Sequence, residues 1–211
     1  MFLFLFILFY FIYFLITLYL FCIILFLFIL FLFKPQTLKS AHEIGKFCSL
    51  LSKGNFEAIA CLYVDNEKFG ESYAYESEEW KELKSKRKLF LTKDCIKYYL
   101  TYVGNQLKFL KRRPENHNKK TYHIRRLLYQ AQDICDGKEP CTFVEGDRRA
   151  YLLKIKTGLI DQNLFLEDCN QVYSSLLLRL DNGDYCVPDF FEHSEFLNDW
   201  MFNLRKKNFL K

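Results

Sequence analysis

The chain has 211 residues, and its first 33 carry no charged side chain, so all 30 Lys and Arg and all 25 Asp and Glu lie in residues 34–211 at a formal net charge of +5. This division describes an apolar leader and a water-facing body of single-domain size, long enough to bury a core. With 8 Gly, 4 Pro and 18% aromatic residues, collagen, rod-like coiled coils and disordered polyampholytes are excluded, and no second apolar run approaches the ~18 residues of a further membrane span.

Residues 2–33 comprise 11 Phe, 10 Leu, 6 Ile, 3 Tyr, one Thr and one Cys. As a helix this stretch reaches about 48 Å, against a hydrocarbon core of about 30 Å, so it is long enough to span with tilt. It is about twice the length of a signal-peptide core, has no basic residue before it, and cleavage after Ala41 would put Lys39 at the −3 position. A single-pass anchor over 1–33 is the expectation, with a long cleaved signal segment, and hence secretion, as the alternative. The run also lacks Ala, Gly and Val, which natural spans use where they pack, and a spuriously translated T-rich stretch is the third reading. Lys34, Lys39, Lys46 and Lys53 follow it and favour a cytoplasmic body. The cysteines favour a lumenal or extracellular one.

After a linker over 34–46, the periodicity over 47–211 is helical. Short helices are predicted over 43–52 and 55–63, then a loop over Asn66–Ser77, then a helix over 78–90. Thr92 is a good N-cap for a long helix whose apolar stripe is Ile96, Tyr99, Leu100, Val103, Leu107 and Leu110, ended by Pro114. Arg113–Lys120 reads as a loop. Ile124, Leu127, Leu128, Ala131 and Ile134 make the next stripe, closed by Gly137. A short helix over 148–157 precedes a stripe of Phe165, Cys169, Val172, Tyr173, Leu176 and Leu180, which the Asp181–Asp184 turn ends. Beyond Pro188, the residues Leu197, Trp200, Met201 and Leu204 form the last stripe. The fold class is all-α: an N-terminal hydrophobic helix followed by a disulfide-linked helical domain.

The body holds Cys48, Cys61, Cys95, Cys135, Cys141, Cys169 and Cys186. No CxxC and no Cys/His knuckle occurs, so zinc has no template and no metal site is assigned. Dispersed spacings of this kind suit disulfides in an oxidising compartment, and seven being odd leaves one thiol over. Seven reduced, buried cysteines in a cytosolic protein are the alternative. The one pair singled out is Cys135–Cys141, because Gly137 and Pro140 between them favour a reversal short enough to bring two sulfurs together.

No catalytic signature emerges, and no cofactor is assigned. His42, His117, His123 and His193 read as solvated polar residues. The strongest enzyme candidate is a nucleophile–base arrangement of Cys186, Glu192 and His193, and the chain is expected not to be an enzyme. The remaining signal is basic: Lys84, Lys86, Arg87 and Lys88; Lys108, Lys111, Arg112 and Arg113; Lys119, Lys120, Arg125 and Arg126; then Arg205, Lys206 and Lys207. The first cluster lies within Trp80–Phe90 and fits a membrane surface or an anionic polymer. A net charge of only +5 with no recognition motif argues against nucleic acid.

Phe47-Cys48-Ser49-Leu50-Leu51, Cys61 and the helix-borne Cys95, Cys135, Cys141, Cys169 and Cys186 resemble the small helical cysteine-rich secreted domains of nematodes, the chondroitin proteoglycan 4-type domain being the nearest. The likeness covers roughly 48–186 and implies a secreted, non-enzymatic extracellular protein. The chain departs from it in having no Ser-Gly dipeptide for a chondroitin chain, and it has no Asn-x-Ser/Thr sequon. The expected function is a non-enzymatic extracellular or membrane-anchored binding or structural module. The alternative is a cytosol-facing adaptor that recruits acidic partners or anionic lipid through its basic helices.

Overall fold

The computed structural model describes residues 43–64, 76–112, 118–190 and 194–209, all helix, turn or loop with no strand among them. They belong to one compact unit, Glu43–Lys211. The helices are α1 (Ile44–Ser52), α2 (Phe56–Leu62), α3 (Glu78–Ser85), α4 (Lys93–Arg112), α5 (Asn118–Cys135), α6 (Gly146–Lys156), α7 (Gln162–Asp181) and α8 (Ser194–Phe209), with a 3-10 turn over Arg87–Phe90 between α3 and α4.

Local chemistry accounts for most of these boundaries. The Asn55 side chain accepts from the backbone N–H groups of Glu57 and Ala58 at 3.0 and 3.1 Å and starts α2. Ser77 starts α3 and Thr92 starts α4 in the same way, through Trp80 and Cys95 N–H at 3.2 Å each. At the end of α5 the Gly137 N–H donates to Ile134 O and Lys138 N–H to Asp133 O. Gly137 has φ +72°, the left-handed turn that lets both carbonyls be satisfied.

Helices α4 to α7 form the central bundle, and α1, α2, α3 and α8 add buried residues to the same core. Cys186 N–H donates to Cys135 O, and Lys93 N–H to Pro188 O, so residues 186–188 tie the end of α5 to the start of α4 and the two run antiparallel. Arg148 meets Asp133 while Asn118 meets the Lys156 carbonyl, so α6 runs back along α5. Arg125 pairs with Asp168 and Arg179 with Asp136, so α7 is parallel to α5. Helix α2 packs against α4 and α1, and α8 packs against α1 and α3. All six residues of the α4 stripe are buried. At about 1.5–3 kcal/mol for each large apolar side chain, this seam is a main source of stability. Helix α5 touches α4, α6 and α7, and so buries Gln130 and Asp133 as well as its apolar stripe. Each has a partner: Gln130 donates to Cys141 O at 3.1 Å, and Asp133 accepts from Arg148 at 2.8 and 2.9 Å.

Several expectations are corrected. No two of the seven cysteines are bonded; Cys48, Cys61, Cys95, Cys135, Cys141, Cys169 and Cys186 are all free, so the domain is not disulfide-linked. The Cys135–Cys141 pair fails because the chain does not close on itself after Gly137. Gln130 anchors the Cys141 carbonyl more than a turn back along α5. The Cys135 thiol donates instead to Asp184 O at 3.5 Å and the Cys141 thiol to Phe143 O at 2.9 Å. No helix among the described residues is long and apolar enough to cross a membrane, so the expected transmembrane helix is not found; residues 2–33, assigned to it, lie outside the described residues. The segment read as a linker over 34–46 ends inside α1, and Asn118–Lys120, read as loop, forms the first turn of α5. The helix expected over 78–90 divides at Lys86, the C-cap of α3, because the chain must turn to reach the Thr92 cap. His42, His117, Glu192 and His193 lie outside the described residues, as does most of the expected 66–77 loop.

Thiol chemistry follows from these positions. Burial pushes the Cys95 and Cys169 thiols up to about 12 each and raises Cys48 and Cys135, which keeps them protonated and unreactive. Native protein is expected to label with iodoacetamide first at exposed Cys186 and more slowly at Cys61, also exposed but with its thiol pKa raised by burial, while Cys48, Cys95, Cys135 and Cys169 react only on unfolding. Denatured, unreduced protein should yield all seven of these thiols by peptide mapping. A pair that labels only after reduction would overturn the assignment.

His123 sits edge-on to the Phe56 and Tyr102 rings, at 5.7 and 5.8 Å between centroids. Burial, and then the Arg126 charge, lower its pKa from the ordinary 6.5. The unfolded chain therefore takes up the His123 proton more readily than the folded one. This contribution to stability is complete above about pH 6.5 and declines as the pH falls through the histidine range toward the lowered folded value. Replacing His123 by Gln should flatten that part of a urea-midpoint-versus-pH curve. Superimposable curve shapes for the two proteins would refute the assignment.

Candidate anion-binding surface

The corner where α3 gives way to the 3-10 turn forms a cationic groove. Phe90 and Leu91 turn into the core together with Leu83, and the intervening polar residues are left around the outside of the corner. A groove of about 540 Å³ results, lined by Lys81, Lys84, Lys86, Arg87 and Lys88 against one carboxylate, Glu139. Glu139 accepts from Arg87 at 2.8 Å and stands 3.7 Å from the Lys88 ammonium. The Arg87 guanidinium also lies 4.9 Å over the Tyr63 ring, which fixes its direction. Lys84 pairs with Glu76 at 3.1 Å and Lys81 with Glu78 at 2.6 Å.

These pairs leave the corner able to accept an anion. Exposed ion pairs are worth about 0–1 kcal/mol each, since water screens them and two flexible chains must be held. Lys88 is 78% exposed and Lys86 makes no ion pair among the described residues. A carboxylate-rich partner would exchange weak contacts for several converging ones.

Several residues of the other basic clusters are drawn into the fold. Arg125 is only 11% exposed and lies 3.2 Å from Asp168, with its guanidinium over the Tyr129 and Tyr151 rings at 4.5 and 5.3 Å. Lys120 sits over Phe109 at 3.6 Å. Arg205 pairs with Glu43 at 3.2 Å, and Lys207 pairs with Glu79, holding its carboxyl down to about 2. Those two contacts tie α8 to α1 and α3. Lys108 and Lys111 remain exposed on α4; Arg113 lies outside the described residues.

Sequence reasoning missed Glu139, 52 residues from Arg87, and the network around Arg125. The i, i+4 spacing of Arg125 and Tyr129 was the one local signal for the latter. Of the thiol-centred candidate, only Cys186 is described; its backbone N–H meets Cys135 O. Among the described residues no group of three or more His, Cys, Asp and Glu is placed to hold a metal ion. No protein-family model, no curated protein and no solved structure matches the chain.

Proposed function

We propose that this chain is a non-enzymatic helical binding module that captures an acidic polypeptide segment at the Lys81–Lys88 corner. The observation that supports this reading is five cations facing one carboxylate around a single open groove. A partner side chain carrying Asp or Glu would be steered in by the summed charge. It would displace the more exposed pairs of Lys81, Arg87 and Lys88 and leave the covered Lys84–Glu76 pair in place, at little cost to the fold.

The test is fluorescence anisotropy of a labelled twelve-residue poly-glutamate peptide with the full chain, in low salt and in 0.5 M NaCl. Wild-type protein is expected to bind saturably, and salt should weaken the complex, because exposed charges are screened at that ionic strength. Reversing three charges in K86E/R87E/K88E should weaken binding at least tenfold, equivalent to about 1.4 kcal/mol. Lys206→Glu, on the far end of α8, should leave it unchanged. Equal affinity of wild type and the triple variant would overturn the proposal.

A further inference from the structure

A second groove, independent of that corner, runs between α4 and α7. It has a volume of about 600 Å³, within the ~300–1,000 Å³ of small-ligand sites. Its apolar surface comes from Leu107 and Leu110 of α4 and from Leu166 and Tyr173 of α7. The floor is opened by Gly104, buried in the middle of α4. A Cβ there would lie 2.6 Å from the Tyr173 hydroxyl oxygen, so the absence of a side chain is what lets Tyr173 lie over the helix and close one end.

Both cations of the groove come from α4. Lys108 and Lys111, one turn apart on α4, stand on the rim, and neither makes an ion pair among the described residues. No Asp or Glu lines the groove. The nearby Asp161 carboxylate is engaged in capping α7, accepting from the Asn163 and Leu164 N–H groups at 2.8 and 3.2 Å. The Gln162 side chain of α7 also lines the groove, and its amide nitrogen is buried without a hydrogen-bond partner. A buried donor left unpaired is costly, and it is a group that a ligand oxygen would satisfy. The other two amides, Asn163 and Asn170, lie on the same helix, and Asn170 donates to Leu166 O at 2.7 Å.

We propose that this groove binds a single-chain amphiphile with a carboxylate head, a free fatty acid in chemical class. The acyl chain lies along Leu107, Leu110 and Leu166 toward Tyr173, and the carboxylate is held between Lys108, Lys111 and the Gln162 amide. The charge decides the head group: two cations with no lining carboxylate disfavour a cationic amphiphile. A wholly neutral ligand would leave both ammonium groups without a counter-charge. The lining decides the tail, because Leu107, Leu110, Leu166 and Tyr173 give the groove a continuous set of apolar side chains.

The test is isothermal titration of the full chain with dodecanoate, dodecanol and dodecyltrimethylammonium, each below its micelle concentration. Dodecanoate is expected to bind saturably, at least tenfold tighter than either of the others. K108E/K111E should lose at least tenfold in dodecanoate affinity with unchanged helix content, and Leu166→Trp, which fills the strip, should lose it irrespective of head group. Because residues 2–33 are themselves apolar, the difference between wild type and K108E/K111E isolates the groove. Equal binding of the three amphiphiles, equal dodecanoate affinity in wild type and K108E/K111E, or no saturable site would overturn the proposal.

Discussion

Gly54→Ala is expected to unfold this domain at a much lower urea concentration than the parent chain, at a cost of about 4 kcal/mol or more. Two effects add. Gly54 has φ +69°, a conformation in which an L side chain is strained by about 1–2 kcal/mol. The added Cβ would also lie 2.3 Å from the Cys95 Cα and 2.8 Å from its Cβ. Cys95 is fully buried in the first turn of α4, so the atom in the way is backbone of a packed helix and has no rotamer by which to escape. Relief requires moving the α1–α2 corner away from α4. Gly183→Ala separates the two effects: its φ is +74°, but nothing lies within 4 Å of the new Cβ. That variant should lose only about 1 kcal/mol. If both variants shift the midpoint equally, the close approach to Cys95 is not what selects glycine at position 54.

Phe56→Ala should cost about 3–5 kcal/mol, the range for removing a buried aromatic side chain. Phe56 opens α2 at 7% exposure, and its ring meets Tyr102 at 4.7 Å, Tyr99 at 5.8 Å and Tyr98 at 6.2 Å, all on α4. It also meets His123 on α5 at 5.7 Å. One ring therefore joins three helices, and truncating it leaves a cavity bordered by helices that cannot collapse independently. The loss corresponds to about 10 °C in Tm for a domain of this size. Phe56→Leu keeps most of the volume and should lose less than about 1.5 kcal/mol. A midpoint for Phe56→Ala within 1 kcal/mol of wild type would show that α2 is not bound to the core through this ring.

What was legible in the sequence is what short-range chemistry controls. Thr92 as a cap, the Ile96–Leu110 stripe and Gly137 at the end of α5 each depend on contacts within one or two turns, and each stands in the structure as read. The all-α class follows from the same repeated signals. The cationic run Lys84–Lys88 was likewise visible, because its residues are adjacent in the chain.

Tertiary packing decided the rest. Whether seven cysteines pair depends on where separate helices bring their Cβ atoms, and spacing along the chain does not contain that; Gln130 drawing Cys141 back along α5 is a contact no local pattern announces. Arg125 and Lys86 look alike as members of basic clusters. One is buried against Asp168 and two tyrosine rings while the other stays without an ion pair among the described residues, since α7 and α6 cover the first and nothing described covers the second. Glu139 reaches Arg87 only because the segment after α5 returns to the α3 corner. Helix position is set by bonds four residues apart, whereas site composition is set by which faces meet, and that is determined only when the whole core closes.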